Sequence, residues 1–272
     1  MNLDEPEDAT HEFYEADHPF FATADKVDFD KIPAFSQSYG IGHDVIAYSK
    51  LKPIDAKYVL DLGSGSGRIT LPLAQNTKKT IGIDISQTLL DRLNSRANAL
   101  GYNQVQTINQ DITELKADKN ADMITISFNV LNHITDFHKQ CLCLMKASEH
   151  LKNGGLLVLD LINPHASTQP VSSPALLFSS MTEKGQRYSR FVTTTAADVN
   201  QKQHIHGWYD VFEKDNSIKR YTYDYYFRHI YVFELKLMLE KAGLQIENVW
   251  GSMQFEPYNK SSKRLFVTAI KL

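Results

Sequence analysis

Cysteine is scarce in this sequence, with only Cys141 and Cys143 among 272 residues. We expect both on one helix, where residues two positions apart point in different directions, so a disulfide between them is sterically unfavourable. No group of histidines or acids accompanies them at the spacing of a zinc site. The expectation is therefore two reduced, packed cysteines without a metal, as in cytoplasmic proteins.

Long apolar runs and an excess of positive charge are also missing. No apolar run approaches the roughly 20 residues that cross a bilayer. The acids at positions 4, 5, 7 and 8 are the opposite of the basic start of a secretory signal. The net charge is −3, and basic residues cluster only in pairs such as Lys78-Lys79, which argues against a nucleic-acid binder. We expect a cytoplasmic protein that binds neither membrane nor nucleic acid.

A glycine-rich turn is the most informative feature that is present. The segment Val59–Leu62, apolar except for Asp61, leads into Gly63-Ser64-Gly65-Ser66-Gly67, which predicts a buried strand, a tight turn and the start of a helix. Glycine lets a backbone approach a ligand closely, and open α/β sheets bind nucleotides at the carboxyl ends of their strands. The G-x-G-x-G spacing differs from the G-x-G-x-x-G of dinucleotide-binding turns. Asp61, two residues before the first glycine, suits a cationic ammonium better than an anionic pyrophosphate.

Acids also follow the next two predicted strands. The second strand ends at Asp84, and an acid in this position of a nucleotide-binding α/β unit accepts hydrogen bonds from ribose hydroxyls. The third strand, Val105–Asn109, leads to Asp111, which can accept from an adenine amine, while Ile112 can cover the ring. A lone acid is most often a solvated strand end, but three at successive strand ends favour a single nucleotide site.

From about Tyr58 to the C-terminus, this order of motifs resembles the class I S-adenosylmethionine-dependent methyltransferases, and residues 59–68 closely resemble motif I of that family. The resemblance implies an α/β fold, a Rossmann-like, seven-stranded, mostly parallel sheet with helices on both faces and an antiparallel last strand. It implies S-adenosyl-L-methionine as the cofactor, bound by Asp61, Gly63, Ser64, Gly65, Gly67, Arg68, Asp84, Ile85, Gln110, Asp111, Ile112, Asn129 and Val130.

Three regions are predicted along the chain. Residues 1–40 are rich in aromatics and form an N-terminal arm or a lid over the ligands. Residues 41–163 and 231–272 form the cofactor-binding domain. Residues 164–230 form an inserted antiparallel β cap, with a loop-rich stretch over 164–186 followed by three strands, at about 187–196, 202–212 and 218–228.

Acceptor and catalytic residues are predicted at the ends of the fourth, fifth and cap strands. His133 and His229 are the candidate general bases, since histidine most often removes a proton at neutral pH, although each could be a structural histidine. Acceptor-binding candidates are Tyr225, Tyr226, Arg228 and Asn163. Arg228 suits a carboxylate or phosphate by bidentate pairing, with a structural ion pair as the alternative.

The nature of the methyl acceptor is less clearly indicated. No Asn-Pro-Pro-Tyr run of nucleic-acid amino methyltransferases follows the fourth strand, and there is no Pro-Cys pair for covalent pyrimidine methylation. The likeness is to enzymes that methylate a nitrogen or oxygen of a small molecule, either as monomers or as homo-oligomers. The alternatives are a catalytically silent cofactor-binding protein and an NAD-dependent oxidoreductase, which the glycine spacing disfavours.

Overall fold

The computed structural model describes residues 13–182 and 184–272, and the acids at positions 4–8 lie outside them. The strands are β1 Tyr58–Leu62, β2 Lys79–Asp84, β3 Val105–Asn109, β4 Ala121–Ile126, β5 Leu151–Ile162, β6 Val171–Met181, β7 Arg187–Thr194, β8 Lys202–Phe212, β9 Ile218–Arg228, β10 Leu244–Trp250 and β11 Arg264–Lys271. The helices are α1, described over residues 13–17, and α2 Ala34–Ser38, α3 His43–Leu51, α4 Thr70–Leu73, α5 Gln87–Ala99, α6 Val130–His133, α7 Phe137–His150, α8 Pro164–Ser167 and α9 Val232–Lys241.

Seven of the described strands form the first sheet, in the order β10-β11-β5-β4-β1-β2-β3. Strands β1 to β5 pair in parallel, and β11 runs antiparallel to both of its neighbours. β1 is a central strand, and its apolar residues Val59, Leu60 and Leu62 are fully buried because both faces of the sheet are covered. The predicted architecture of this sheet is confirmed. The carboxyl ends of its parallel strands form one edge, which we call the carboxyl edge.

The second sheet is antiparallel, with the described strands in the order β6-β7-β8-β9. The expectation of a loop-rich stretch over residues 164–186 is wrong for Val171–Met181, which forms β6. β6 is an edge strand that pairs only with β7, and its register shifts between Val171 and Ala175. Pro174 lies in that shift, where its missing N–H removes no bond from a second neighbour. An edge strand can thus contain a proline and several serines, and in the sequence this composition is indistinguishable from that of a loop.

Side-chain caps fix the helices that follow β2 and β4. The Ser86 hydroxyl accepts a hydrogen bond from the backbone N–H of Leu89 at the start of α5, and Asp136 begins α7 in the same way. Cys141 and Cys143 lie on α7 as buried free thiols. No helix in the described part of the chain is long and apolar enough to cross a membrane.

Candidate active site

The glycine turn after β1 combines two packed glycines with one open glycine. A Cβ on Gly63 would lie 2.3 Å from a methyl carbon of Val130, and a Cβ on Gly67 would lie 2.9 Å from Leu93. At Gly65, where φ is +51°, the nearest atom to a Cβ would be a Leu89 methyl at 4.0 Å. Positions 63 and 67 therefore need glycine because a side chain there would collide with Val130 or Leu93. Gly65 instead faces open space at the carboxyl edge, which leaves room for a ligand close to the backbone.

Asp84 lies directly beside this open space. Its carboxylate accepts hydrogen bonds from the backbone N–H of Gly65 at 2.8 Å and of Ser86 at 2.9 Å. An ionised carboxylate offers about four acceptor positions, so Asp84 can still accept from two hydroxyl groups. The Ser64 hydroxyl is buried in the same turn without a hydrogen-bond partner among the described residues. An unpaired buried hydroxyl is costly, and a polar ligand would satisfy it.

The predicted cofactor residues after β2 and β3 divide between open and structural positions. Asp111 is exposed, and one of its oxygens accepts from the Thr113 N–H and hydroxyl at 2.8 Å. Ile85 is 55% exposed beside Asp84, so an apolar face is open to a ring there. Ile112 is buried in the main core, and Gln110 holds the backbone of Glu114 and Lys116. Asp111 and Ile85 are thus the two members of this predicted group that remain available.

Asp61 lies inside the sheet rather than at its surface. It is fully buried, and it accepts hydrogen bonds from the hydroxyls of Thr70 at 2.6 Å and Thr125 at 2.7 Å. Desolvation raises its pKa. Each carboxylate oxygen of Asp61 thus accepts from one threonine hydroxyl, and neither oxygen is exposed at the carboxyl edge.

The turn after β4 has an unusual backbone. Phe128 has φ of +48° and Asn129 has φ of +67°, and two successive non-glycine residues in the left-handed region carry strain of the kind that clusters at functional sites. The guanidinium groups of Arg68 and Arg264 lie 5.2 and 5.7 Å from the Phe128 ring centre. Asn129 accepts a hydrogen bond from Arg264 at 2.9 Å. The sequence pointed to Arg68 and Asn129, but it gave no signal for the Phe128 ring between the two arginines.

Two buried ion pairs hold these arginines in place. Arg68 pairs with Asp44, which is 2% exposed and also accepts from two backbone N–H groups of its own turn. Arg264 donates to Asp160 at the end of β5 at 2.8 Å. Each arginine is thus neutralised by a carboxylate and oriented by it, which leaves its planar face to the Phe128 ring.

A group of aromatic rings lies where α6 meets the second sheet. We call it the aromatic cleft, and its members are Tyr14, Phe128, His133 and Tyr225. The His133 ring centre is 5.2 Å from that of Tyr225 and 4.7 Å from that of Phe227. His133 is exposed to solvent, yet desolvation by the surrounding protein lowers its pKa to about 4. It is therefore a neutral imidazole at neutral pH.

Tyr14 of the N-terminal segment also belongs to this group. Its side chain is 41% exposed, while desolvation raises its pKa and the charge of Arg68 acts in the opposite direction. Desolvation also raises the pKa of Tyr225, with Tyr14 among the smaller causes. The His18 ring lies 4.2 Å from Tyr14 and 4.9 Å from Phe128. These rings thus form one group beside the turn after β4, at the carboxyl edge.

Residues 13–21, which we call the N-terminal strap, connect the second sheet to α5. Glu15 lies 3.3 Å from Arg92 and 3.1 Å from Arg96 of α5. Asp17 is fully buried. It accepts three hydrogen bonds from the second sheet, donated by the Tyr188 hydroxyl at 2.6 Å, the Arg190 guanidinium at 2.9 Å and the Tyr209 hydroxyl at 3.1 Å. The sequence did not indicate Asp17 or Arg190, since nothing local marks them as partners.

Tyr226 and Arg228 are placed away from the cleft, contrary to expectation. Tyr226 is 52% exposed and stacks on His204, on the sheet face opposite Tyr225. Arg228 is buried, pairs with Glu234 and donates to the Gln140 side chain at 2.8 Å. Tyr225 and Tyr226 therefore cannot line one pocket, because alternate strand residues face opposite sides. The Arg228 guanidinium is engaged by protein groups rather than free for an acceptor anion.

His229 and Asn163 are also held by the protein. His229 is fully buried, its Nε2 lies 2.8 Å from the Gln203 side-chain oxygen, and desolvation lowers its pKa to about 4. Asn163 is fully buried at the end of β5 and donates to backbone carbonyls of the loop between β10 and β11. Of the two predicted histidines, only His133 faces the cleft.

Comparison with known proteins shows that this chain is similar to methyltransferases. Residues 54–219 match the family model of a methyltransferase domain. The chain is 27% identical over 227 residues to the cypemycin N-terminal methyltransferase of Streptomyces sp, which covers 83% of this chain and 88% of that protein. It is similar in fold to a methyltransferase from Streptomyces caelestis, with a TM-score of 0.71, 22% identity and coverage of 89% and 98%. An S-adenosylmethionine-bound amino pentose methyltransferase from Micromonospora echinaspora gives a TM-score of 0.68, 17% identity and coverage of 86% and 92%.

Proposed function

Because the chain belongs to the class I S-adenosylmethionine-dependent methyltransferases, we propose that it transfers a methyl group to a nitrogen or oxygen of a small molecule, with an amine nitrogen as the favoured acceptor. The observation that carries this proposal is the open Gly65 beside Asp84, at the same edge as the aromatic cleft. This arrangement supports a cofactor and an acceptor bound side by side.

The residues at the glycine turn fit the cofactor. Asp84 has acceptor capacity for the ribose hydroxyls, Ile85 offers an apolar face to the adenine, and Asp111 can accept from its amine. The unpaired Ser64 hydroxyl and the open face of Gly65 remain for other polar atoms of the cofactor. When bound, S-adenosylmethionine supplies an activated methyl group on its sulfonium.

The aromatic cleft would hold the acceptor. His133 stays neutral down to about pH 4, so its free ring nitrogen can accept a hydrogen bond from the acceptor's N–H or O–H throughout the physiological range. Such a contact orients the nucleophile, and orientation is the main contribution that a protein makes to a displacement of this kind. A pKa this low makes His133 a poor proton acceptor, so we assign it a positioning role.

Two features support nitrogen as the acceptor atom. The names of two similar proteins, an N-terminal methyltransferase and an amino pentose methyltransferase, describe acceptors with an amino group. In the cleft, Tyr14 and Tyr225 supply aromatic rings, which suit the protonated form in which an amine arrives. The ammonium loses its proton to solvent before the site closes, and the free lone pair of its nitrogen then attacks the methyl group.

The second sheet and the N-terminal strap would then enclose the acceptor. Residues 164–230 act as the cap and residues 1–40 as the lid, of which residues 13–40 are described. The strap contacts α5 through Glu15 and the second sheet through Asp17. Exclusion of water by these elements favours methyl transfer to the acceptor over loss to solvent.

The proposal is tested by binding and turnover with the purified chain. Calorimetry is expected to show stoichiometric binding of S-adenosylhomocysteine and none of NAD. Labelled S-adenosylmethionine is then incubated with a panel of small amines and matched alcohols, and label is expected in the amines. Binding of NAD instead would overturn the family-based function. Binding without transfer to any member of a broad panel would favour the catalytically silent alternative.

A further inference from the structure

The N-terminal strap reaches the glycine turn through one side chain of α5. The Arg96 guanidinium donates to the backbone carbonyl of Ser66 at 3.0 Å and to its hydroxyl at 2.7 Å. The same guanidinium lies 3.1 Å from a carboxylate oxygen of Glu15 and 4.7 Å from the Phe20 ring centre. Glu15 and Phe20 belong to the strap, whereas Ser66 belongs to the turn. Arg96 therefore contacts both segments at once.

The contact at Ser66 completes the set of bonds that holds the turn. The N–H of Gly65 donates to Asp84 at 2.8 Å, and the N–H of Gly67 is bonded within the turn. The Ser66 carbonyl belongs to the same planar peptide unit as the Gly67 N–H, so Arg96 fixes the other side of that unit. A glycine-rich backbone has wide conformational freedom. Asp84 and Arg96 restrict it on the two sides of the open Gly65.

A second contact of the strap lies behind the turn and is apolar. Phe20 packs against the cluster formed by Leu71, Leu93 and Ala97. A Cβ on Gly67 would lie 2.9 Å from Leu93 and 3.2 Å from Leu71, so this cluster is also the support of the turn. The strap thus meets the turn by an ionic route through Arg96 and by an apolar route through Phe20.

Glu15 orients the Arg96 side chain. Its carboxylate lies between two arginines of α5, Arg92 at 3.3 Å and Arg96 at 3.1 Å, which are four positions apart and would otherwise repel each other. The side chains of Arg96 and Glu15 are 25% and 27% exposed, so water screens this pair only in part. Arg96 uses Nη1 for Ser66 and Nη2 for Glu15, a fork that the single ammonium of a lysine cannot reproduce.

We propose that Arg96 is a positioning residue that links the docked strap to cofactor binding. The strap, through Glu15, orients the guanidinium that holds the turn, and a cofactor that binds the held turn in return favours the docked strap. Coupling between two binding events is reciprocal, so S-adenosylhomocysteine should stabilise the strap as much as the strap strengthens its binding. The proposal rests on the proposed placement of the cofactor at the glycine turn and does not depend on the acceptor.

The first measurement is the affinity for S-adenosylhomocysteine by calorimetry. Arg96→Ala is expected to lower it about tenfold, as is usual for coupled sites. Glu15→Gln, which keeps the size of the side chain, should lower it less, and it should have no further effect in the Arg96→Ala background. Arg96→Lys keeps the charge without the fork and should recover only part of the loss. Lys146→Ala, which removes a partly exposed pair with Glu149 on α7, should leave the affinity unchanged.

The second measurement is hydrogen exchange of residues 13–21, with and without saturating S-adenosylhomocysteine. In the unaltered chain the ligand is expected to slow exchange of the strap. In Arg96→Ala the saturated protein should show little of this protection. A purely structural role of Arg96 would instead speed exchange equally in both states and leave the effect of the ligand intact.

Unchanged affinity in Arg96→Ala, or the same ligand protection of the strap with and without Arg96, would overturn the link. The possible failures are distinguishable. Loss of binding in Gly65→Val but not in Arg96→Ala would remove the link and leave the cofactor site in place. Binding that neither substitution alters would remove the cofactor placement at the turn, and the link with it. Strap protection that requires Arg96, without methyl transfer to any amine, would support the link and remove the proposed reaction.

Discussion

The cofactor side and the acceptor side of the site are built from contacts of very different range. At the glycine turn, Asp84 accepts from Gly65, which lies 19 positions away. In the second sheet, Arg190 and Tyr209 bond to Asp17 across 173 and 192 positions. A short stretch of chain therefore suffices to shape a cofactor site. In the proposed function, acceptor recognition would depend on how the strap packs on the second sheet, and that packing involves none of the contacts at the glycine turn.

The comparison is tested most severely by removing the cation that joins the strap to the second sheet. Arg190→Ala leaves Asp17 buried with its charge unpaired, and such a loss costs about 3–5 kcal/mol of stability. Urea unfolding measures it. Arg220→Ala is the matched control in the same sheet, because its pair with Asp210 is formed by an arginine side chain that is 56% exposed, worth about 0.2–1 kcal/mol. Similar small losses in both variants would show that the strap is held by other contacts.

On the cofactor side, the largest effect is expected at the open glycine. Gly65→Val places a branched side chain in the space kept for the cofactor, and we expect at least about a hundredfold loss of S-adenosylhomocysteine affinity by calorimetry. Gly101→Val is the control, because Gly101 has a φ of +70° with nothing within 4 Å of a Cβ. Both variants carry the same backbone strain, so only the first should lose the ligand. Retained binding in Gly65→Val would mean that this turn is a structural corner.

The same difference in sequence separation explains which features could be predicted from the sequence. Periodicity and glycine spacing predicted β1, the turn and the acids after β2 and β3, because each depends on neighbours in the sequence. Neighbouring strand residues such as Tyr225 and Tyr226 face opposite sides of a sheet, but the sequence does not show which face meets the cleft. That choice depends on Phe13 and Asp17 packing against the inner face. Long-range partners of this kind leave no local pattern.

The ribose acceptor provides the next comparison. Asp84→Asn removes the charge but keeps the size of the side chain, and a lost charged hydrogen bond costs about 1.5–3 kcal/mol, or about tenfold to a hundredfold in cofactor affinity. Asp136→Asn, at the start of α7, alters a cap of similar geometry away from the turn and should not change the affinity. Unchanged binding in Asp84→Asn would remove the ribose assignment.

Acid should lower the free energy of unfolding through the buried His229 at the end of the second sheet. The folded pKa of His229 is about 4, below its ordinary 6.5, so the unfolded chain takes up a proton below pH 6.5 that the folded chain refuses. The free energy of unfolding therefore falls as the pH drops from about 6.5 to 4, by about 2 kcal/mol at pH 5. His229→Gln should reduce the difference between pH 7 and pH 5 in urea unfolding. His138→Gln, an exposed position on α7, should not, and equal slopes in the two variants would contradict the buried placement.

The smallest expected effect separates the two faces of β9. Tyr225 faces the cleft beside His133, whereas its neighbour Tyr226 stacks on His204 on the outer face. Tyr225→Phe removes one hydroxyl from the cleft, and a single hydrogen bond to the acceptor is worth about two- to tenfold in KM. Tyr226→Phe makes the same chemical change one residue away and should leave both KM and cofactor affinity unchanged. The two variants are compared with the best amine from the panel. If Tyr226→Phe raised KM and Tyr225→Phe did not, the acceptor would bind on the outer face, and the strap would enclose a space that serves another purpose.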